Sequence, residues 1–417
     1  CNTTGQNNTF IGQCAGFSNT IGVYNNFFGW CAGASNTTGQ QNNFFGQRAG
    51  RANTTGSNNN FFGPVSGFCN TTGGGNNFFG NSSGFNNTTG NHNTFIGCGA
   101  GYWNTFGSNN NFFGCYAGQN NTTGNNNNFI GQCAGYSNTF GSYNNFFGCK
   151  AGFCNTTGKE NNFFGDYAGF KNTTGSCNNF FTYNAGRCNT TGCYNNFFGY
   201  GAGFNNTTGN GNNFIGHCVG YSNTIGGYNT FVGISAGFCN TTGARNSFFG
   251  YSAGYNNTTA SNNIAIGQAA GTTGFNPSGL INLTTGGNCI VMGNASHTCA
   301  AIQIAWTAVS DIRDKKVLGT VPYGRDFLRG VNPIKYSFKD RETNQVTDET
   351  IRYGFSAQEV MSLEGDTPVI SNYMNGEEKL GMTYDYMIPV LVNAIKELDQ
   401  ENQDLKARIE ALEAKSN

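Results

Sequence analysis

The sequence holds sixteen cysteines, which at suitable spacings could hold a metal or form a disulfide framework. No C-x-x-C pair occurs and three histidines are too few for repeated zinc sites, so neither a metal nor a cofactor is expected. Hydrolysis of a polysaccharide calls for two carboxylates flanking the scissile bond. Glu160 and Asp166 are the only acids among residues 1–271, and they stand at variable positions of successive units, which makes a poor pair. Thr3-Thr4, Thr37-Thr38 and Thr54-Thr55 suggest a hydroxyl array of the ice-binding or adhesive kind, but Thr20-Ile21 and Thr105-Phe106 interrupt it. Asn-x-Thr triplets such as Asn2-Thr3-Thr4 match a glycosylation pattern and suit turn geometry better.

These residues sit on an unbroken 17-residue period. Phe10, Phe27, Phe44 and their successors to Phe248 are in phase, Ala265 closes the series, and an apolar residue always follows, from Ile11 to Ile266. The unit is roughly G-x-x-N-N-F-F-G-x-x-A-G-x-x-N-T-T. So short a unit, broken by glycines, excludes a helical hairpin and suits two short strands joined by tight turns. Strands stacked ~4.8 Å apart make sixteen rungs a rod on the order of 75 Å long. Identical residues then form columns. The invariant Asn19, Asn36 and Asn53, continuing to Asn257, are expected to pair rung to rung or to cap the turns. Cys14 and Cys31 share a phase on consecutive rungs, as do Cys98 and Cys115, so axial disulfides fit the spacing. Cysteine as a small, tolerated filler is the favoured reading.

Adjacent residues on a strand point to opposite faces, so the double Phe makes both faces apolar. Three chains about a common axis would bury both columns; the alternative is a two-layer monomeric solenoid with both inside. Units such as NNFFGWCAGASNTTG, and above all NNIAIGQAAG (262–271), resemble the β-roll heads of trimeric autotransporter adhesins and related repeats of tail-fibre proteins.

Charge is unevenly spread. Residues 1–271 carry only nine charged side chains, and the net charge of zero conceals an ordinary charged region after Gly271. No basic cluster supports nucleic-acid binding. No apolar run approaches the ~18 residues of a membrane span. The chain opens within a repeat at Cys1, which suggests a fragment of a longer fibre. Residues 272–309 read as an irregular β junction, with GNCIVMGNAS (287–296) as one further rung and AIQIAWTAV (301–309) as a strand.

From Ser310 to the end the sequence resembles the intramolecular chaperone domain at the C-termini of phage endosialidases, tail spikes and tail fibres. The matching pieces are Ser310-Asp311-Ile312-Arg313-Asp314-Lys315, FLRGVNPIKYSFKD (327–340), YGFSAQEV (353–360) and YDYMIPVLVNAIKEL (384–398), in that order. SDIRDK followed by VPYGRDFL is most similar to fibres of marine cyanophages. The resemblance implies a homotrimer that cuts its own chain beside Ser310, with Ser310 as nucleophile and Lys315 as base; which side is cut stays open. Serine needs such a base, and a lysine serves once desolvation lowers its pKa. Asp311 and Arg313 match the motif and would hold the loop by pairing, while Gln358 and Glu359 lie in the supporting G-F-x-A-Q-E-V element. Asp314 departs from the apolar residue of many relatives and would keep Lys315 charged.

A helix is expected over about 384–413. Leu391, Ile395, Leu398, Asn402, Leu405, Ile409 and Leu412 form a heptad seam. Ile at a, Leu at d and one Asn is a two-stranded pattern; the family resemblance favours three strands. The expected fold is therefore mainly β: a trimeric 17-residue-repeat β-roll or solenoid shaft (1–271), the junction, and a small α+β chaperone domain (310–417) ending in a coiled-coil helix. The expected function is an extracellular virion tail fibre contacting a host cell-surface receptor or glycan, without membrane insertion. Its only chemistry would be self-cleavage by a serine–lysine dyad. An adhesin or ice-binding solenoid, or a polysaccharide-binding tail spike, are the alternatives.

Overall fold

Each 17-residue unit contributes one three-residue strand, and its remaining residues turn the chain back to the same place one rung higher. The computed structural model describes residues 2–272, 283, 286–294, 310–339, 343–346, 349–373 and 380–416. The chain divides into two compact units, Cys1–Asn294 and Ala295–Asn417.

The first unit is a parallel β-solenoid of seventeen strands, β1 (Thr9–Ile11) to β17 (Ile290–Met292). Every pairing in it is parallel and in register, Phe on Phe up to Phe248, which meets Ala265, and Ala265 then meets Val291. The rung at β9 (Asn145–Phe147) shows why. Phe146 is fully buried and stacks on Phe129 and Phe163, each at 4.8 Å between ring centroids. Ala151 completes the buried core from the other wall of the rung. At Gly152 the backbone has φ +58°, and a Cβ there would collide with the Phe146 ring. Glycine is thus required for both conformation and space.

The amide columns do both things open to them. Asn138 Nδ2 donates to Asn121 Oδ1 one rung down at 2.7 Å and to the Gly141 carbonyl at 2.9 Å, while its Oδ1 accepts from Asn155 at 2.8 Å. A second buried column, not separated from its neighbours by the sequence pattern, fastens the strand entry. Asn144 N–H donates to Asn127 Oδ1 at 3.0 Å, and its Nδ2 donates to the Gly158 carbonyl at 2.9 Å. Buried amides are tolerable only when so satisfied.

The expected two strands per unit give way to one. The Asn-Thr-Thr limb also bonds rung to rung: Thr139, Phe140 and Gly141 N–H all converge on the Thr156 carbonyl at 3.0–3.2 Å. Three donors on one acceptor make a turn, which a ladder of alternating partners would not. The two-layer monomeric solenoid is likewise corrected. Only the first Phe column is inside; Phe147 and its equivalents lie half-exposed on the outer face beside the Asn145–Asn162 ladder. A three-residue strand directs its middle side chain to one face and the flanking two to the other.

The unit at 287–296 does form a further rung: β17 pairs with β16 (Ile264–Ile266), after a 26-residue step. The strand expected at 301–309 lies outside the described residues.

The second unit is small and α+β. In order it contains α1 (Arg325–Gly330), β18 (Ile334–Tyr336) paired antiparallel with β19 (Arg352–Gly354), and α2 (Ala357–Glu364). Then come β20 (Ser371–Tyr373), antiparallel to β21 (Leu380–Met382), and α3 (Met387–Ser416). Val331, Val360, Ile370, Met387 and Val390 form its core. From Ile395 to Lys415 α3 is exposed on all sides. No helix among the described residues is long and apolar enough to cross a membrane.

Candidate functional site at Ser310 and Lys315

Ser310 precedes a single 3-10 turn, Ile312–Asp314, whose start is capped by Asp311. Asp311 accepts from Arg313 N–H at 2.8 Å and from the Arg313 guanidinium at 2.5 Å. The Arg313 side chain, and then its backbone N–H, hold the Asp311 carboxyl below the usual carboxylate range. The turn closes with Lys315 N–H on the Ile312 carbonyl at 3.2 Å. This doubling back brings the Lys315 ammonium onto the Ser310 hydroxyl, to which Nζ donates.

The segment therefore gathers four of the predicted residues: Asp311 and Arg313 clamp the turn, and the turn apposes Ser310 and Lys315. A neutral amine at this place could take the serine proton. Both side chains are exposed, however, and a lysine base requires desolvation, so the described residues of one chain do not supply the burial.

Gln358 and Glu359 have a different setting. They occupy the first turn of α2, where Ser356 Oγ accepts from Glu359 N–H at 3.4 Å and lies 3.2 Å from Gln358 Oε1. Glu359 Oε1 accepts from Asn332. The Asn332 bond ties α2 to the segment before β18, and the Ser356 bonds cap the helix.

One residue was missed. Glu364, at the end of α2, is 7% exposed, and its carboxylate accepts from Val369 N–H (2.7 Å), Ile370 N–H (2.6 Å), Ser371 N–H (2.8 Å) and Ser371 Oγ (2.5 Å). Burial pushes its pKa up, but the bonds from Ser371, Ile370 and Val369 outweigh burial and leave it lowered. Its only sequence signal is the following Gly365, with φ +75°. An apolar cavity of about 370 Å³ lies nearby, lined by Tyr323, Val369, Ile370 and Val390 among others.

In the solenoid, the two acids are spent on contacts between rungs. Asp166 Oδ1 accepts from Cys149 N–H at 2.7 Å, and Glu160 from the Cys177 thiol at 3.6 Å. All fourteen described cysteines are free thiols. Among the described residues no group of His, Cys, Asp and Glu is placed to hold a metal.

The fold and site define a parallel β-solenoid followed by a small α+β unit that carries the Ser310–Lys315 pair. Residues 310–366 match the family model described as chaperone of endosialidase, beginning at Ser310 itself. No curated protein and no solved structure matches the chain.

Proposed function

We propose that the chain forms a homotrimeric extracellular fibre of the phage tail-fibre type. Its solenoid is the shaft that reaches a host-surface receptor or glycan, and its C-terminal domain is the tool that assembles it. The observation that carries this reading is the chaperone-of-endosialidase match over 310–366 in a chain that also holds a shaft of near-identical rungs. Identical rungs specify register weakly between chains, so three shafts brought together unaided would slip. A domain that trimerises first removes that freedom.

Two surfaces support self-association. The outer face of the shaft carries a continuous apolar column, with Phe79, Ile130, Phe198, Ile215 and Phe249 each 38–49% exposed. Such a stripe is unusual on a soluble monomer. On α3, Leu391, Ile395, Leu398, Leu405, Ile409 and Leu412 are 44–66% exposed along one seam. A helix without cover over its last twenty residues or so is marginal alone in water.

Cleavage beside Ser310, with Lys315 as base, then follows from trimerisation if neighbouring chains bury the dyad. Release of the domain would trap the shaft kinetically. The ice-binding alternative loses ground on the Thr array. Thr139 Oγ1 donates to the Thr156 carbonyl at 3.0 Å, and Thr156 repeats this with Thr173, so the hydroxyl of the first threonine of each pair is engaged by the backbone.

Sedimentation of the full chain beside a chain ending at Lys396 tests the assembly step. The full chain is expected as a trimer and the truncated one as monomer or aggregate. Monomers in both cases would reject the proposal.

A further inference from the structure

We propose that Cys98 and Cys115 are an oxidisable pair that closes into an axial disulfide between two consecutive rungs of the shaft. Cys98 follows β6 (Thr94–Ile96) and Cys115 follows β7 (Asn111–Phe113) by the same two residues, and these strands pair with Ile96 opposite Phe113. Backbone bonds bracket the pair: Gly114 N–H donates to the Ile96 carbonyl at 2.8 Å and Tyr116 N–H to the Cys98 carbonyl at 2.9 Å. Residues held so are direct neighbours at the rung spacing of ~4.8 Å, inside the Cα separation that a disulfide tolerates.

The Cys98 thiol is near enough to Cys115 to help raise the pKa of that thiol. Closing a bond between side chains that project in parallel calls for a small backbone adjustment. Cys98 stands between Gly97 (φ +137°) and Gly99 (φ +62°), and Cys115 follows Gly114 (φ +140°). Cys14 and Cys31, also in phase, lack this latitude: they sit at left-handed positions, φ +58° and +54°, with no glycine beside them.

The chemistry needs an external oxidant, a small-molecule disulfide. Cys98 is exposed while Cys115 is partly covered, and burial, then Cys98 itself, pushes the Cys115 thiol up. Cys98 is therefore the first to react. Its thiolate attacks the disulfide, forms a mixed disulfide and expels one thiolate. Cys115, deprotonated, then attacks the Cys98 sulfur, forms the Cys98–Cys115 bond and expels the second. Two electrons pass to the oxidant, and the two thiol protons go to the expelled thiolates. Cys133, on the next rung and close enough to perturb electrostatically with Cys115, is the competing partner.

The test is to equilibrate the folded full chain with oxidised glutathione, alkylate the remaining thiols, denature, digest with chymotrypsin and sequence the peptides by mass spectrometry. Tyr102, Trp103 and Phe112 provide cuts between the two cysteines. The expected result is a cross-linked Cys98–Cys115 peptide pair, lighter by two hydrogens than its reduced components, with alkylation of both residues lost. In Cys98→Ser the cross-link disappears and Cys115 recovers its label. Full alkylation of both cysteines in the wild-type chain would overturn the proposal. So would a Cys98→Ser chain in which Cys115 is oxidised as completely as before, because pairing would then not depend on Cys98.

Discussion

Phe146 and Phe147 are consecutive on one strand, yet Phe146 is completely buried between two parallel rings while Phe147, stacked on Phe164 at 4.6 Å, lies on the outer face. The same aromatic residue thus serves two different purposes at adjacent positions. Phe146→Ala empties a packed core and is expected to cost ~3–5 kcal/mol of shaft stability. Phe147→Glu should leave the folded monomer nearly unchanged and weaken association of chains. Circular dichroism melts and sedimentation of the two variants separate these effects; equal loss of stability in both would remove the outer column from the assembly.

Thr182 occupies a place that is glycine in the other rungs, at φ +93°, and its N–H is pressed to 2.5 Å from the Phe164 carbonyl. A β-branched residue there is strained. Thr182→Gly is expected to raise shaft stability by ~1–2 kcal/mol, the usual size of such strain. A lower unfolding midpoint in denaturant would contradict this.

Asn138 holds three partners at once, so Asn138→Leu removes a donor from the Gly141 carbonyl and from Asn121, and an acceptor from Asn155. Asn127 still donates to the Gly141 carbonyl and Asn155 still reaches Gly158, so Asn121 Oδ1 is the atom left unpaired and the loss should be ~1–3 kcal/mol. Hydrogen exchange should show it spreading to the rungs on either side, since solenoid rungs couple through nearest neighbours.

Much of this was legible in the primary structure. The period, the buried Phe column and the Asn19-type ladder follow from residues repeated in phase, and the additional rung at 290–292, out of phase, shows in the unit-like GNCIVMGNAS. What was hidden is backbone that no residue type announces. Tyr143 and Lys150, at variable positions, take φ +61° and +56°, and each is held there by its N–H on a carbonyl one rung below, Asn125 and Gln132. Tertiary bonding imposes left-handed residues where composition gives no warning, and this is why one strand per unit replaces two. At the candidate site the motif residues Ser310 to Lys315 were readable, but the Glu364 knot was not. A carboxylate satisfied by backbone N–H groups depends on how the chain from 365 to 371 curls.

Glu364 gives that unit a pH dependence. Its folded pKa is lowered, so its contribution is fully present above the unfolded carboxylate pKa, near 4.5, and is lost as pH falls through the folded value. The helical far-ultraviolet signal, which belongs to the C-terminal unit, should melt at lower temperature as pH drops from neutral into this range. Glu364→Gln should flatten that dependence. An unchanged slope would mean that other carboxylates set it.

The central claim is that the domain from Ser310 onward assembles the fibre and is then cut away by the chain itself. A denaturing gel of the purified 417-residue chain beside Ser310→Ala and Lys315→Ala tests it most directly. The account predicts a C-terminal fragment beginning next to Ser310, released from the parent alone. The same fragment from all three chains, or from none of them after trimers have formed, would contradict it.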